Sequence, residues 1–253
     1  MESNSLLKII GQEKEMFINR HGFNADFDVE VCQDIYTRRK ELICGPNDCT
    51  HVENEAEWLR TLNGTVALGK TIDSKHFVLL SDTIFSDEKD YTWYGTVHHE
   101  ATHLVDYLDL AKANNIENMD EIYKTPHYNS FLLWSEYHAR CVGYTRVLNI
   151  VYNDSVEDAL RREARKYCML ITNSYTKNQS PYEFMQLVGR YFAISDIIPN
   201  FIPPFRTLLQ RCSLTYQQEL NNIFRFIKDH RTFSSYILDA NRFETLITSV
   251  ESQ

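Results

Sequence analysis

Val97, Ala101, Leu104, Val105, Leu108 and Ala111 recur at three- and four-residue intervals, which predicts a helix with one apolar stripe. Upstream the periodicity changes. Gly64-Thr65-Val66-Ala67-Leu68, a polar turn over Thr71 to Ser74, and His76-Phe77-Val78-Leu79-Leu80-Ser81 together predict a β-hairpin. Beyond about residue 130 helix signals dominate. Ser155 precedes acidic Glu157 and Asp158; Ser180-Pro181-Tyr182-Glu183 joins a capping box to a first-turn proline; Thr215 and Gln218 form another such box. Behind the last two starts lie the stripes Phe184, Leu187, Val188, Tyr191 and Leu220, Ile223, Phe224, Ile227, separated by Pro203-Pro204. Both stripes read as core packing, and the basic run from Arg161 to Lys166 as a solvated helix face. The expected class is α+β: a small antiparallel or mixed sheet with a helix behind it, then a mainly helical C-terminal half. No repeat or linker marks a boundary, so residues 1–253 read as one domain, with an α/β lobe over 1–128 and a helical lobe over 129–253.

Composition narrows the function. Thirty-five acids against 26 bases give a net charge of −9, which supplies no basic surface for a phosphate backbone, so no nucleic-acid partner is expected. Nothing approaches the roughly 18 apolar residues of a membrane span, and the start lacks the features of a secretory signal; the expected compartment is the cytoplasm. In that compartment the six cysteines are expected as reduced thiols. Cys44, Cys49 and His51 surround a turn, with Cys32 upstream, but their spacing is not a standard zinc pattern and reads as a turn flanked by half-buried thiols.

One segment carries chemistry. In Val97-His98-His99-Glu100-Ala101-Thr102-His103, the pattern H-E-x-x-H falls on the predicted helix. Residues four apart on a helix are neighbours, so the His99 and His103 imidazoles can reach one zinc ion. Glu100 is turned about 100° from His99 and is free to act on a water molecule as a general base. The apolar stripe lies on roughly the opposite side from His99, His103 and Asp106, so core and ligands do not compete for one face. In a chain of this composition the pattern arises by chance roughly 0.02 times. Asp106, one turn beyond His103, reads either as an acceptor for a ligand's second ring nitrogen or as an exposed helix acid. His98 has no assigned role.

A strand followed by an H-E-x-x-H helix over about residues 64 to 140 resembles the zincin metallopeptidases. The resemblance implies a zincin-like fold, a Zn2+ cofactor, a peptide or protein substrate and an edge strand that aligns it, here the His76–Ser81 strand. It also implies a third protein ligand. The variant with a third histidine fails, because Asp106 stands where a turn glycine is required. Asp109 could bind only if the helix broke after His103. A glutamate from a later helix remains, the gluzincin arrangement. Glu136, in Leu132-Leu133-Trp134-Ser135-Glu136-Tyr137-His138-Ala139-Arg140, sits on a mostly apolar face where a lone carboxylate is costly. A metal would relieve that cost; a salt bridge to Arg140 is the competing reading. Glu117 and Glu121 are rival ligands. H-E-x-x-H with a later Glu-x-x-Ala is similar, more weakly, to the ImmA/IrrE-type peptidases, although Arg140 replaces their usual asparagine and no helix-turn-helix is visible. The resulting expectation is a zinc peptidase with His99, His103 and Glu136 as ligands and Glu100 as base. His127, Tyr128, Tyr137, His138 and Tyr144 are open candidates for the oxyanion donor. The competing functions are a catalytically inactive zinc-binding regulatory protein and a zinc hydrolase of a non-peptide substrate.

Overall fold

The extended segments at Gly64–Ala67 (β2) and His76–Ser81 (β3) pair antiparallel, with Val66 opposite Val78. The hairpin is as expected, and a third strand joins it: Phe27–Cys32 (β1) runs parallel to β3, giving the order β1-β3-β2. The computed structural model describes residues 3–23, 25–44, 50–86, 91–154, 161–162, 166, 180–198, 202–210 and 217–251. These belong to two compact units, Met1–Tyr123 and Lys124–Gln253. The protein is α+β, mostly helical with this small mixed sheet.

In the first unit β3 takes the centre because its apolar run suits both faces: Val78, Leu79 and Leu80 are all fully buried. That placement corrects the expected role of His76–Ser81. Its backbone groups face β1 on one side and β2 on the other, so no edge is left to receive a substrate strand. The edges among the described residues are β1 and β2. His76 closes the hairpin loop: its Nδ1 accepts from the Gly69 amide at 3.0 Å and its Nε2 faces the Ile72 carbonyl at 3.0 Å. Helices Ile35–Cys44 (α2), Thr50–Asn54 (α3) and Ala56–Leu59 (α4) enclose a satellite core of Ile35, Cys44, Val52 and Leu59.

Helix Ser3–His21 (α1) packs against Thr92–Ala113 (α5), which also packs on β2 and β3. The expected stripe packs inward: Val97, Ala101, Leu104, Leu108 and Ala111 are at most 1% exposed, whereas Val105, its sixth member, is only partly buried. The helix ends in a Schellman motif, with Asn115 at φ 53°, Ile116 N–H donating to Ala111 and Asn115 N–H to Lys112. It is unbroken past His103, which keeps Asp109 on the helix.

Among its described residues the second unit contains helices and connecting segments but no strand. Tyr128–Asp154 (α6) and Pro181–Ile197 (α7) pack along each other. Gly189 allows their closest approach, since a methyl there would lie 2.6 Å from the Tyr137 carbonyl oxygen and 2.8 Å from Arg140 Cβ. Ser180 caps α7 as expected, accepting from the Glu183 amide at 3.2 Å with proline in the first turn. Phe205–Leu209 (α8), Gln217–Asp229 (α9), Phe233–Ile237 (α10) and Ala240–Glu251 (α11) complete the unit. Trp134 stacks on Tyr236 at 4.8 Å and donates to the His230 carbonyl. The helix start at Ser155, the cap at Thr215 and residues 163–165 of the basic run lie outside the described residues; Arg161, Arg162 and Lys166 are exposed. No described helix is long and apolar enough to cross a membrane.

Candidate metal site

Three consecutive residues of α5 are buried ionisable side chains: His98 at 1% exposure, His99 at 8% and Glu100 at 8%. At about 100° per residue they leave the helix in three directions. His98 turns to α1, where its Nε2 meets Glu13 Oε2 at 3.1 Å, with the Phe17 ring edge-on at 5.5 Å. It is a partnered core histidine. Glu13 carries no sequence motif, and only an acid within the apolar turns around Ile10 and Phe17 would have drawn attention to it.

His99 points along the helix toward His103. Their Nε2 atoms are 3.1 Å apart, the rings nearly perpendicular at 87°. Two Zn–N bonds of about 2.05 Å at a tetrahedral angle would place the nitrogens about 3.3 Å apart, so the pair fits one ion without a change of helix geometry. Glu100 Oε1 lies 4.0 Å from His99 Nε2. Asp106 is 1% exposed, which rules out its reading as an exposed helix acid.

Glu136 lies on α6 and is 3% exposed. Both readings of its carboxylate find support. Arg140 Nη2 donates to Oε1 at 3.3 Å one turn on, and His99, His103 and Glu136 each offer one ligand atom, all within 4.8 Å of one another. This group could hold a metal ion; neither Asp109, Glu117 nor Glu121 belongs to it. A third neighbour escaped the sequence reading. The Tyr182 hydroxyl, from the first turn of α7, hydrogen-bonds Gln186 and Glu136, and burial and the Glu136 charge raise its pKa above the ordinary tyrosine value. The residue is 47% exposed overall. A first-turn tyrosine following a capping serine gives no sign of such a contact.

The candidate oxyanion donors separate. Tyr137 is committed to the core: it is 1% exposed and hydrogen-bonded to Arg231, which itself pairs with Asp196. His127, at φ 62° before α6, bonds Glu244 at 2.6 Å. His138 packs on Trp134 at 5.1 Å, Tyr128 lies near Phe131, and Tyr144 lies under Arg190.

The thiol expectation needs one correction. Cys44 is disulfide-bonded, so its sulfur is no thiolate ligand, whereas Cys32 and Cys141 are free. Neither compartment nor a chain long enough to be stable without disulfides determines which sulfurs the fold brings together. Burial pushes the free thiols of Cys32 and Cys141 up to about 11, leaving both protonated at neutral pH. Cys49 and the side chain of His51 lie outside the described residues. Compared with known protein families, curated proteins and solved structures, the chain matches none.

Proposed function

We propose that the protein is a zinc-dependent peptidase of zincin-like, gluzincin type, with His99, His103 and Glu136 as metal ligands and Glu100 as general base. The observation that carries this reading is the 3.1 Å approach of the two Nε2 atoms with Glu100 beside them but outside the pair. A structural site has no use for such a base.

When bound, zinc supplies Lewis-acid chemistry, polarising a carbonyl and making water acidic enough to ionise near neutral pH. The chain's own residues do the rest. Glu100 removes a proton from the attacking water as its oxygen bonds to the peptide carbon. As the C–N bond breaks, Glu100 returns that proton to the leaving amine, so that one water is added across the bond and the carboxylate is regenerated. Burial of Glu100 strengthens its electrostatic interactions with charge developing beside it. An extended substrate would find its backbone partners at β2, an edge strand among the described residues against which Glu100 lies, rather than at β3.

Elemental analysis and a peptide-library digest of the wild type and four variants test the proposal. Glu100→Gln should retain zinc and lose hydrolysis, whereas His99→Ala and His103→Ala should lose both; Glu136→Ala should bind zinc weakly. Zinc retention by the histidine variants would overturn the site. A zinc-loaded wild type that cleaves no peptide would overturn the activity and leave the site standing.

A further inference from the structure

Gly64 opens β2, and its φ lies outside the left-handed range, so the backbone there would accept any residue. Its lack of a side chain needs another reason, and the reason is local. A methyl group built on Gly64 would lie 2.7 Å from Glu100 Cγ and 3.1 Å from both Cδ and Oε1. The first distance is far inside carbon–carbon contact. All three atoms closest to that methyl belong to one side chain, whereas Gly69 in the same hairpin is crowded by the Lys75 carbonyl oxygen at 2.5 Å and Ser74 Cβ at 2.6 Å.

We propose that Gly64 is a positioning residue for Glu100: the missing Cβ is the seat that lets the carboxylate stem lie against the edge strand. The inference deepens the peptidase reading and rests on it for its catalytic consequence, but the steric relation stands on β2 and α5 alone. A residue larger than glycine at position 64 leaves the zinc ligands in place and moves the base. Because Glu100 is 8% exposed, it has little room to move without changing where its oxygens point.

The test is a double-mutant cycle of Gly64→Ala and Glu100→Ala in the full chain, read first by thermal melting. In the wild-type background Gly64→Ala should lower Tm by on the order of 5 °C through overpacking. With Glu100→Ala the colliding atoms are gone, and the same substitution should be neutral or raise Tm, since alanine restricts the unfolded chain. Equal shifts in both backgrounds would overturn the proposal. If Gly64→Ala alone does not fold, recovery of folding in the double variant supports the relation, and failure of both overturns it. The catalytic arm uses the zinc-loaded protein: Gly64→Ala should retain zinc and lose about a hundredfold in kcat with little change in KM. Gly69→Ala, whose new methyl would meet Lys75 and Ser74 and not Glu100, should lose stability and keep kcat. Equal loss of kcat in both glycine variants would attribute the effect to the hairpin and overturn the assignment. Absence of turnover by the wild type would overturn the peptidase reading and this catalytic consequence, while the melting cycle would still decide the steric claim.

Discussion

Replacing Glu136 by glutamine keeps the shape of the side chain and removes its charge, which separates the two roles of this carboxylate. Its ion pair with Arg140 spans 3.3 Å, with the arginine side chain 28% exposed and the glutamate 4%. Solvent therefore screens one partner, and the pair contributes only about 0.2–1 kcal/mol, the range of partly exposed i,i+4 pairs. For a chain of this size 1 kcal/mol corresponds to about 2–4 °C, so metal-free Glu136→Gln should melt no more than about 4 °C below the metal-free wild type. As a metal ligand the same carboxylate carries far more. Loss of an outer partner of a metal ligand costs about 10–100-fold in affinity, and loss of the ligand's own charge should cost at least as much. Zinc competition against a chromophoric chelator would measure the second quantity, and calorimetry of the metal-free proteins the first. Unaltered zinc affinity combined with a lower metal-free Tm would refute the ligand role and leave Glu136 an ordinary salt-bridge partner.

Three further outcomes are expected. Glu13→Ala strips the partner from a buried pair whose side chains are 4% and 1% exposed; the cost should be about 3 kcal/mol, or about 6–12 °C in Tm, and a drop under about 2 °C would show that the contact carries no weight. His76 is held neutral, its pKa lowered from 6.5 by burial against the opposing pull of the Ile72 hydrogen bond and the Asp26 charge. The unfolded chain therefore takes up a proton first, so stability should fall as pH drops below about 6.5, and denaturant titrations of His76→Gln should show a flatter dependence in that window. Ser180→Ala removes the α7 cap at a cost of about 1 kcal/mol, visible as faster amide exchange in the first turn, which contains Tyr182; unchanged exchange at the Glu183 amide would contradict the cap.

What could be read from the sequence was what repeats locally. The α5 stripe, the hairpin and the Ser180 cap depend on residues a few positions apart, and each lies where its spacing indicated. The position of β3 in its sheet was not legible, because β1 lies more than forty residues upstream and nothing in Phe27–Cys32 names its partner. The same applies around the candidate site. The histidine spacing was a local signal, whereas Glu13, Gly64 and the Tyr182 hydroxyl acquire their roles through contacts across the chain. Asp106 was misjudged in one of its two readings for a related reason: a helix face opposite the main stripe is exposed only if nothing else packs there, and at 1% exposure something does.

The run His98-His99-Glu100 shows why α5 is held so tightly in its unit. Burying three adjacent ionisable side chains costs several kcal/mol unless each finds a specific partner. Helical geometry sends the three to different neighbours, so each requirement fixes one direction of the helix. His98 needs Glu13 and thereby ties α5 to α1. Glu100 needs the space left by Gly64 and thereby sets its distance from β2. His99 meets His103 along the axis, Nε2 to Nε2 at 3.1 Å, close to the separation that two ligands of one ion would have. A rotation of α5 that improved one of these contacts would break another. The orientation of the histidine pair is therefore set by the neighbours that flank it, Glu13 at His98 and Gly64 at Glu100. Glu13→Ala should then weaken zinc binding although Glu13 is partnered with His98 and is not one of the three proposed ligands, and restoring a hydrogen-bonding side chain with Glu13→Gln should recover most of the affinity. Zinc affinity indifferent to both substitutions would mean that the helix is oriented by its apolar stripe alone.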